Sequence, residues 1–199
     1  MTKLLYQGHG SFRIISNNGT VIYFDPYIKQ GCEYPADYII VTHEHGDHNK
    51  IELIPKKENC RVLRAKDFII EDGSYRIYEF ENVSFQGTQA YNAKHDIKEC
   101  VGCIVQLDGI KIYGAGDTSL TNEMKTMASL KLDYVLLPCD GIYNMDVKEA
   151  SQCANLINGK HSIPIHMKPG VLFDQEIADA FNGVHKLVIK PLEEIELNN

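Results

Sequence analysis

The segment Thr42-His43-Glu44-His45-Gly46-Asp47-His48 governs how the rest of the chain is read. It follows the short apolar run Tyr38–Val41, which reads as a β-strand, and it packs His43, His45, Asp47 and His48 into six residues. These are four potential metal ligands. His43 and His45 are two apart, so in an extended segment both rings point to one side. Gly46 is expected to let the chain turn sharply, after which Asp47 and His48 face a second position. A helical reading fails, because residues two apart do not share a helical face and Gly46 would weaken the helix. The spacing is not the HExxH pattern either, since Asp47 rather than a histidine stands four after His43.

One strand-end loop cannot surround two cations, so further ligands are sought at other strand ends. Asp117 lies in Gly114-Ala115-Gly116-Asp117-Thr118, directly after the strand-like Ile110–Tyr113, where small residues permit close backbone approach. His166 ends the apolar run Ile163-Pro164-Ile165-His166, and His95 ends Ala90-Tyr91-Asn92-Ala93-Lys94-His95. His9, in Gly8-His9-Gly10-Ser11, is open to three roles: metal ligand, support for a ligand, or substrate contact. His161 and His185, each beside a lysine, read as surface residues.

Outward from these positions the chain reads strand-rich at first, then as alternating strands and helices. Leu4–Tyr6, Ser11–Ile15 and Val21–Phe24 are strands, the last two joined at the Asn17-Asn18-Gly19 turn. Further strands are expected at Arg61–Leu63, Ser74–Phe80, Asn82–Gln86, Cys103–Leu107, Ile110–Tyr113, Leu132–Leu137 and His185–Ile189. Helical patterns cover Asn122–Ser129, a segment opening at Asp146 with capping-box spacing to Glu149, and Asp174–Phe181. Phe12–Pro26 and Cys103–Thr118 share a plan of strand, glycine-containing turn, strand and a stop containing Asp25 or Asp117. A single domain over residues 1–199 is expected, with pseudo-duplicated halves of roughly 1–100 and 101–199.

Composition narrows the function. The chain has 199 residues and a formal net charge of −7, so a basic surface for long nucleic acid is not expected. No apolar run approaches a membrane span, and the start MTKLLYQGHG carries no secretory signal, which points to the cytoplasm. The oligomeric state is left open. Cys100-x-x-Cys103 has the spacing of a redox or zinc pair. No second such pair follows, however, and free thiols in a reducing compartment are expected for all six cysteines.

Together, Thr42–His48, Gly116-Asp117-Thr118 and Pro164-Ile165-His166 resemble the metallo-β-lactamase superfamily of metal-dependent hydrolases. More narrowly, the chain resembles a branch of lactonase-like and other hydrolases, through Gly8-His9-Gly10-Ser11, Tyr91-Asn92, Leu136-Leu137-Pro138 and Met145 with Glu149-Ala150. The resemblance covers about residues 4–170. It implies an αββα sandwich, an α+β fold of two mixed sheets with helices outside and the site at one edge. It also implies that His43, His45 and His95 hold one metal, that Asp47, His48 and His166 hold a second, and that Asp117 bridges them. The chain departs from the branch between His95 and Val101, a stretch shorter than usual there.

Imidazole and carboxylate ligands suit one or two divalent ions, zinc first, with manganese or iron open. Two such ions share a water and hold it as hydroxide for attack on a carbonyl or phosphorus centre. Asp47 is then both ligand and proton acceptor, and His9 its companion in catalysis. Asp25 and Thr42 are expected to fix ligand histidines, while Tyr91 and Asn92 either orient substrate or cap a loop. The leading function is hydrolysis of a small-molecule ester or lactone, with an acidic or phosphorylated substrate allowed. A phosphodiesterase or small nuclease on the same site is the alternative, and a catalytically silent metal-binding or sensor protein the third reading.

Overall fold

In the computed structural model, which describes residues 1–199, twelve strands pair almost in the order in which they occur. Lys3–Gly8 (β1), Ser11–Ile15 (β2), Val21–Phe24 (β3), Ala36–Val41 (β4) and Lys56–Arg64 (β5) lie side by side. Ile77–Phe80 (β6), Val83–Gln89 (β7), Val101–Leu107 (β8), Ile110–Gly114 (β9), Tyr134–Pro138 (β10) and His161–Ile165 (β11) make the second sheet in sequence order. Glu193–Glu196 (β12) returns to the first sheet and pairs antiparallel with β1. The helices are Ala65–Phe68 (α1), Val147–Ile157 (α2) and Gln175–Ala180 (α3), with 3-10 segments at Ile51–Leu53 and Glu123–Leu130.

The two sheets repeat one plan. β1, β2 and β3 are antiparallel neighbours, followed by parallel β4 and β5. β7, β8 and β9 are likewise antiparallel, followed by parallel β10 and β11. Asp25 follows β3 and Asp117 follows the matching β9. The sheets divide between Arg64 and Ile77, because β6 and β7 pair into the second sheet ahead of β8.

The inner faces carry the main core. Leu4, Phe12, Ile14, Ile22 and Phe24 meet Phe85, Val101, Val105, Ile112 and Leu136, all buried, and Phe12 stacks on Phe24 with ring centroids 4.5 Å apart. On the outer face of the second sheet, α2, α3 and the 3-10 helix bury Met124, Met127, Ala150, Cys153 and Phe181 against Tyr113, Val135 and Leu137. α2 begins as its sequence directs, since Asp146 accepts from the Glu149 amide at 2.8 Å. The outer face of the first sheet is covered more thinly, by the loop carrying Cys32 and the turn around Ile54. Two layers of strands with helices outside make an αββα sandwich.

Two expectations are corrected. His185–Ile189 is not a strand: His185 has a φ of 50° and only Lys186 bridges, to Ser162 of β11. The segment 122–129 winds as a 3-10 rather than an α-helix. All six cysteines are free, and burial pushes the Cys100 thiol up to about 12 and the Cys103 thiol higher still.

Close contact between the sheets depends on Gly114. A Cβ there would stand 2.5 Å from the Phe24 ring. Gly114→Ala is expected to cost about 1–3 kcal/mol through overpacking, read as a lower urea midpoint with an unchanged slope.

Candidate metal centre

The residues singled out from the sequence gather along one edge of the sandwich. His9 follows β1, His43–His48 follows β4, Asp117 follows β9 and His166 follows β11, while His95 lies between β7 and β8. His9, Asp25 and His166 take φ of 56°, 47° and 45°, a left-handed region that costs a non-glycine residue about 1–3 kcal/mol. These turns leave His9 and His166 among the clustered side chains and Asp25 behind them, against Thr42 and His48. Gly116, at φ 64°, lets the Asp117 loop lie against the end of β4, because a Cβ would stand 2.9 Å from the Val101 carbonyl oxygen and 3.0 Å from Thr42 Cβ. Gly46 needs no such freedom. It lies outside the left-handed region and in open space, and the turn is instead closed by His48 N donating to His45 O at 3.0 Å.

Three overlapping groups of ligand atoms result: His9, Asp47, His48 and His166; His43, His45 and His95; and His43, His48 and Asp117. Ligands about 2.0–2.1 Å from a tetrahedral cation stand about 3.3 Å from one another. His45 Nδ1 lies 3.1 Å from His43 Nε2 and 3.2 Å from His95 Nε2. Asp117 Oδ1 lies 3.4 Å from His48 Nε2, and its Oδ2 lies 3.4 Å from His95 Nε2 and 3.5 Å from His166 Nε2. His48 Nε2, His166 Nε2 and Asp117 Oδ1 are buried without a hydrogen-bond partner in the chain, a costly condition that a cation among them would relieve. Spacing, orphaned atoms and donor chemistry therefore fit divalent metal. His161, stacked on Tyr134, and the exposed His185 belong to none of these groups.

Behind the ligand atoms, the rings of His43, His48 and His95 are each held by the other nitrogen. Asp25 accepts from Thr42 N at 2.8 Å, Thr42 Oγ1 at 2.7 Å and His48 Nδ1 at 2.9 Å. The Thr42 hydroxyl in turn accepts from His43 Nδ1 at 3.0 Å. His95 Nδ1 donates to Asn92 Oδ1 at 3.0 Å, while the same oxygen accepts the Lys94 amide, so Asn92 caps its loop and aims His95. Tyr91 is anchored to Thr118 and Ser119 through its backbone. His9 Nε2 donates to Asp47 Oδ2 at 2.9 Å, and its ring lies 3.7 Å from that of His166.

Asp140 and Asn144 were missed. Asp140 Oδ2 lies 3.0 Å from His166 Nδ1 and accepts from Asn144 Nδ2 at 2.7 Å, and Asn144 Oδ1 accepts from Asn92 Nδ2 at 3.2 Å. Polar contacts thus run from His95 to His166. The signal for Asp140 was present: an apolar strand stopping just before an aspartate, as at Asp25.

Electrostatics follow from packing these groups together. Burial lowers the His48 pKa, but the carboxylates of Asp117, Asp25 and Asp47 outweigh it and push the ring up to about 9. Burial and the charge on His48 push His43 down to about 2. Burial opposes ionisation of Asp117 and Asp47, yet neighbouring histidines hold both below the ordinary carboxylate range.

The fold and the cluster together define a metallo-β-lactamase sandwich with a metal-competent edge. The chain belongs to the metallo-β-lactamase superfamily, in the branch of UPF0173 metal-dependent hydrolases; the model of the beta-lactamase superfamily domain matches residues 3–166. It is 34% identical to a UPF0173 metal-dependent hydrolase of Nanoarchaeum equitans, covering 98% of this chain and 96% of that one. It is 30% identical to another from Pyrococcus furiosus, covering 99% and 100%. A solved metallo hydrolase from Ignicoccus hospitalis shares the fold with a TM-score of 0.74 at 23% identity, covering 99% of each chain.

A histidine that binds metal must give up its proton on that nitrogen. With its pKa near 9, His48 is expected to release a proton on metal loading at pH 7.5, and the release fades as pH rises through about 9. In the metal-free protein the same group contributes stability that is full below its unfolded value of about 6.5 and is lost as pH rises through about 9. Calorimetric metal titrations in two buffers of different ionisation enthalpy measure the proton count.

Proposed function

We propose that the protein is a metal-dependent hydrolase of a small-molecule ester or lactone, with His43, His45 and His95 around one cation, Asp47, His48 and His166 around another, and Asp117 between them. The carrying observation is the near-tetrahedral spacing among His43, His45 and His95 and around Asp117, together with buried atoms of His48, His166 and Asp117 that lack partners. Zinc is the first choice of metal, with manganese or iron fitting the same ligands. When bound, such ions supply Lewis acidity and ease the ionisation of water.

The chain's own residues supply placement and proton transfer. Ester hydrolysis joins one water oxygen to the carbonyl carbon, breaks the acyl C–O bond and returns a proton to the departing oxygen. Asp47 is suited to hold that proton between the two events, because its side chain is 37% exposed whereas that of Asp117 is 5% exposed. His9 keeps Asp47 in place by donating to Oδ2. Asp25, Thr42, Asn92 and Asp140 hold the imidazoles, so little reorganisation is left for the reaction.

The reading extends to one domain over residues 1–199, since the site draws on both sheets. No helix is long and apolar enough to cross a membrane. The six free thiols suit a reducing compartment, and we assign the chain to the cytoplasm.

Asp117→Ala is expected to lose bound metal and to lower kcat by more than about 100-fold, with the loss in kcat rather than KM. His9→Ala is expected to keep its metal while turnover falls about 10–100-fold. Elemental analysis beside rates on a panel of lactones, esters and phosphodiesters checks both. Wild-type rate and metal content in Asp117→Ala would refute the proposal, and tight metal binding without turnover of any substrate would favour a sensor.

A further inference from the structure

A cavity of about 420 Å³ opens directly off His43, His45 and His95, and Lys66, Lys94 and Lys98 line it. One of its three acids, Glu44, is paired with an arginine outside it. Glu44 is held by Arg64 at 2.6 Å and by Asn49 at 3.1 Å, and Asp96 accepts the Lys98 amide at 2.8 Å. Asp96 and Glu99 are the carboxylates on the wall without a cationic partner. The lysine ammonium groups form no ion pair within the chain, and they gather here although the chain as a whole carries a net charge of −7. Cations that line a cleft without internal partners favour an anionic ligand.

Lys66 and Lys98 also belong to a second groove, of about 480 Å³, whose walls include Ile69, Ile70, Tyr75 and Ile97. Ile97, in the loop after His95, is 40% exposed. The order along the surface is therefore the histidine cluster, a pair of lysines, and an apolar trough bearing the single acid Glu71. A ligand matching that order has its hydrolysable group, its charge and its hydrocarbon in the same sequence.

Resting on the hydrolase reading above, we propose that the substrate is an acidic amphiphile: an ester or lactone whose carboxylate or phosphate lies between Lys66 and Lys98, and whose apolar tail lies over Ile69, Tyr75 and Ile97. The lysines select the charge. The trough selects the tail, because each methylene removed from water adds about two- to threefold in affinity when partly covered.

Calorimetric titration of the full chain as purified, with metal content matched between variants, tests the ligand class using ethyl, butyl and hexyl phosphate with 1-hexanol as the neutral control. Hexyl phosphate is expected to bind more tightly than ethyl phosphate by about two- to threefold per methylene, and hexanol at least 10-fold more weakly than hexyl phosphate. Lys66→Gln with Lys98→Gln is expected to weaken hexyl phosphate at least 10-fold, and Ile97→Ser to flatten the dependence on chain length. Equal affinity of the double variant and wild type, or equal affinity for ethyl and hexyl phosphate, would overturn the proposal.

A second arm compares hydrolysis of p-nitrophenyl hexanoate with that of the monoanionic p-nitrophenyl adipate. Preference for the anion, lost in the double lysine variant, supports the proposal. Equal rates on both esters in both proteins overturn it and leave the hydrolase reading intact. Phosphate binding as expected with no ester cleaved refutes ester hydrolysis and supports the assigned ligand class.

Discussion

A carboxylate withdrawn from water has to be surrounded by donors, and Asp25 meets that demand in a way that arranges the whole edge of the sandwich. Its two oxygens take the Thr42 amide, the Thr42 hydroxyl and the His48 ring. One buried acid thereby ties the end of β3 to the segment after β4 and sets the rings of His43 and His48 at once. Any shift of β4 against β3 would leave Asp25 short of a donor, at a cost of several kcal/mol for a buried charge. The register of the parallel pair and the aim of the His43 and His48 rings are therefore one constraint.

The second sheet meets the same demand with Asp117 and Asp140. Asp117 faces four imidazoles, and Asp140 steadies one of them from behind. The repeated pairing plan explains why this edge collects so much chemistry: parallel β3–β4 and β9–β10 send equivalent chain ends to the same side. Three left-handed residues and the unpaired ligand atoms store strain there, and the opposing cores on both faces of the second sheet hold it in place.

Much of this was legible in the sequence, for reasons that differ residue by residue. His43 to His48 stood out because the ligands were dense and followed an apolar strand. Asp117 and His166 were legible because each sat at a strand end. His95 was found despite polar surroundings, since only its place in the order marked it. Asp140 also follows an apolar strand, but a single aspartate after Leu136-Leu137-Pro138-Cys139 looks like an ordinary turn, and its partner Asn144 is six residues beyond the end of the strand. His185–Ile189 misled because its apolar residues alternate between the two cores beside β11, as a strand's would, while its backbone bridges β11 only at Lys186.

The pairing of β1 with β12 joins Lys3 to Glu196. In the second sheet, by contrast, every strand neighbours the one next in sequence. On a ribosome, where the chain emerges from its amino end, the second sheet has all its strands before β12 has been made. β1 must wait with an open hydrogen-bonding flank. Closing that flank spans nearly the whole polypeptide, the kind of long-range contact that slows folding. Sealing of the first strand thus waits on the synthesis of β12, although β1 itself leads directly into His9.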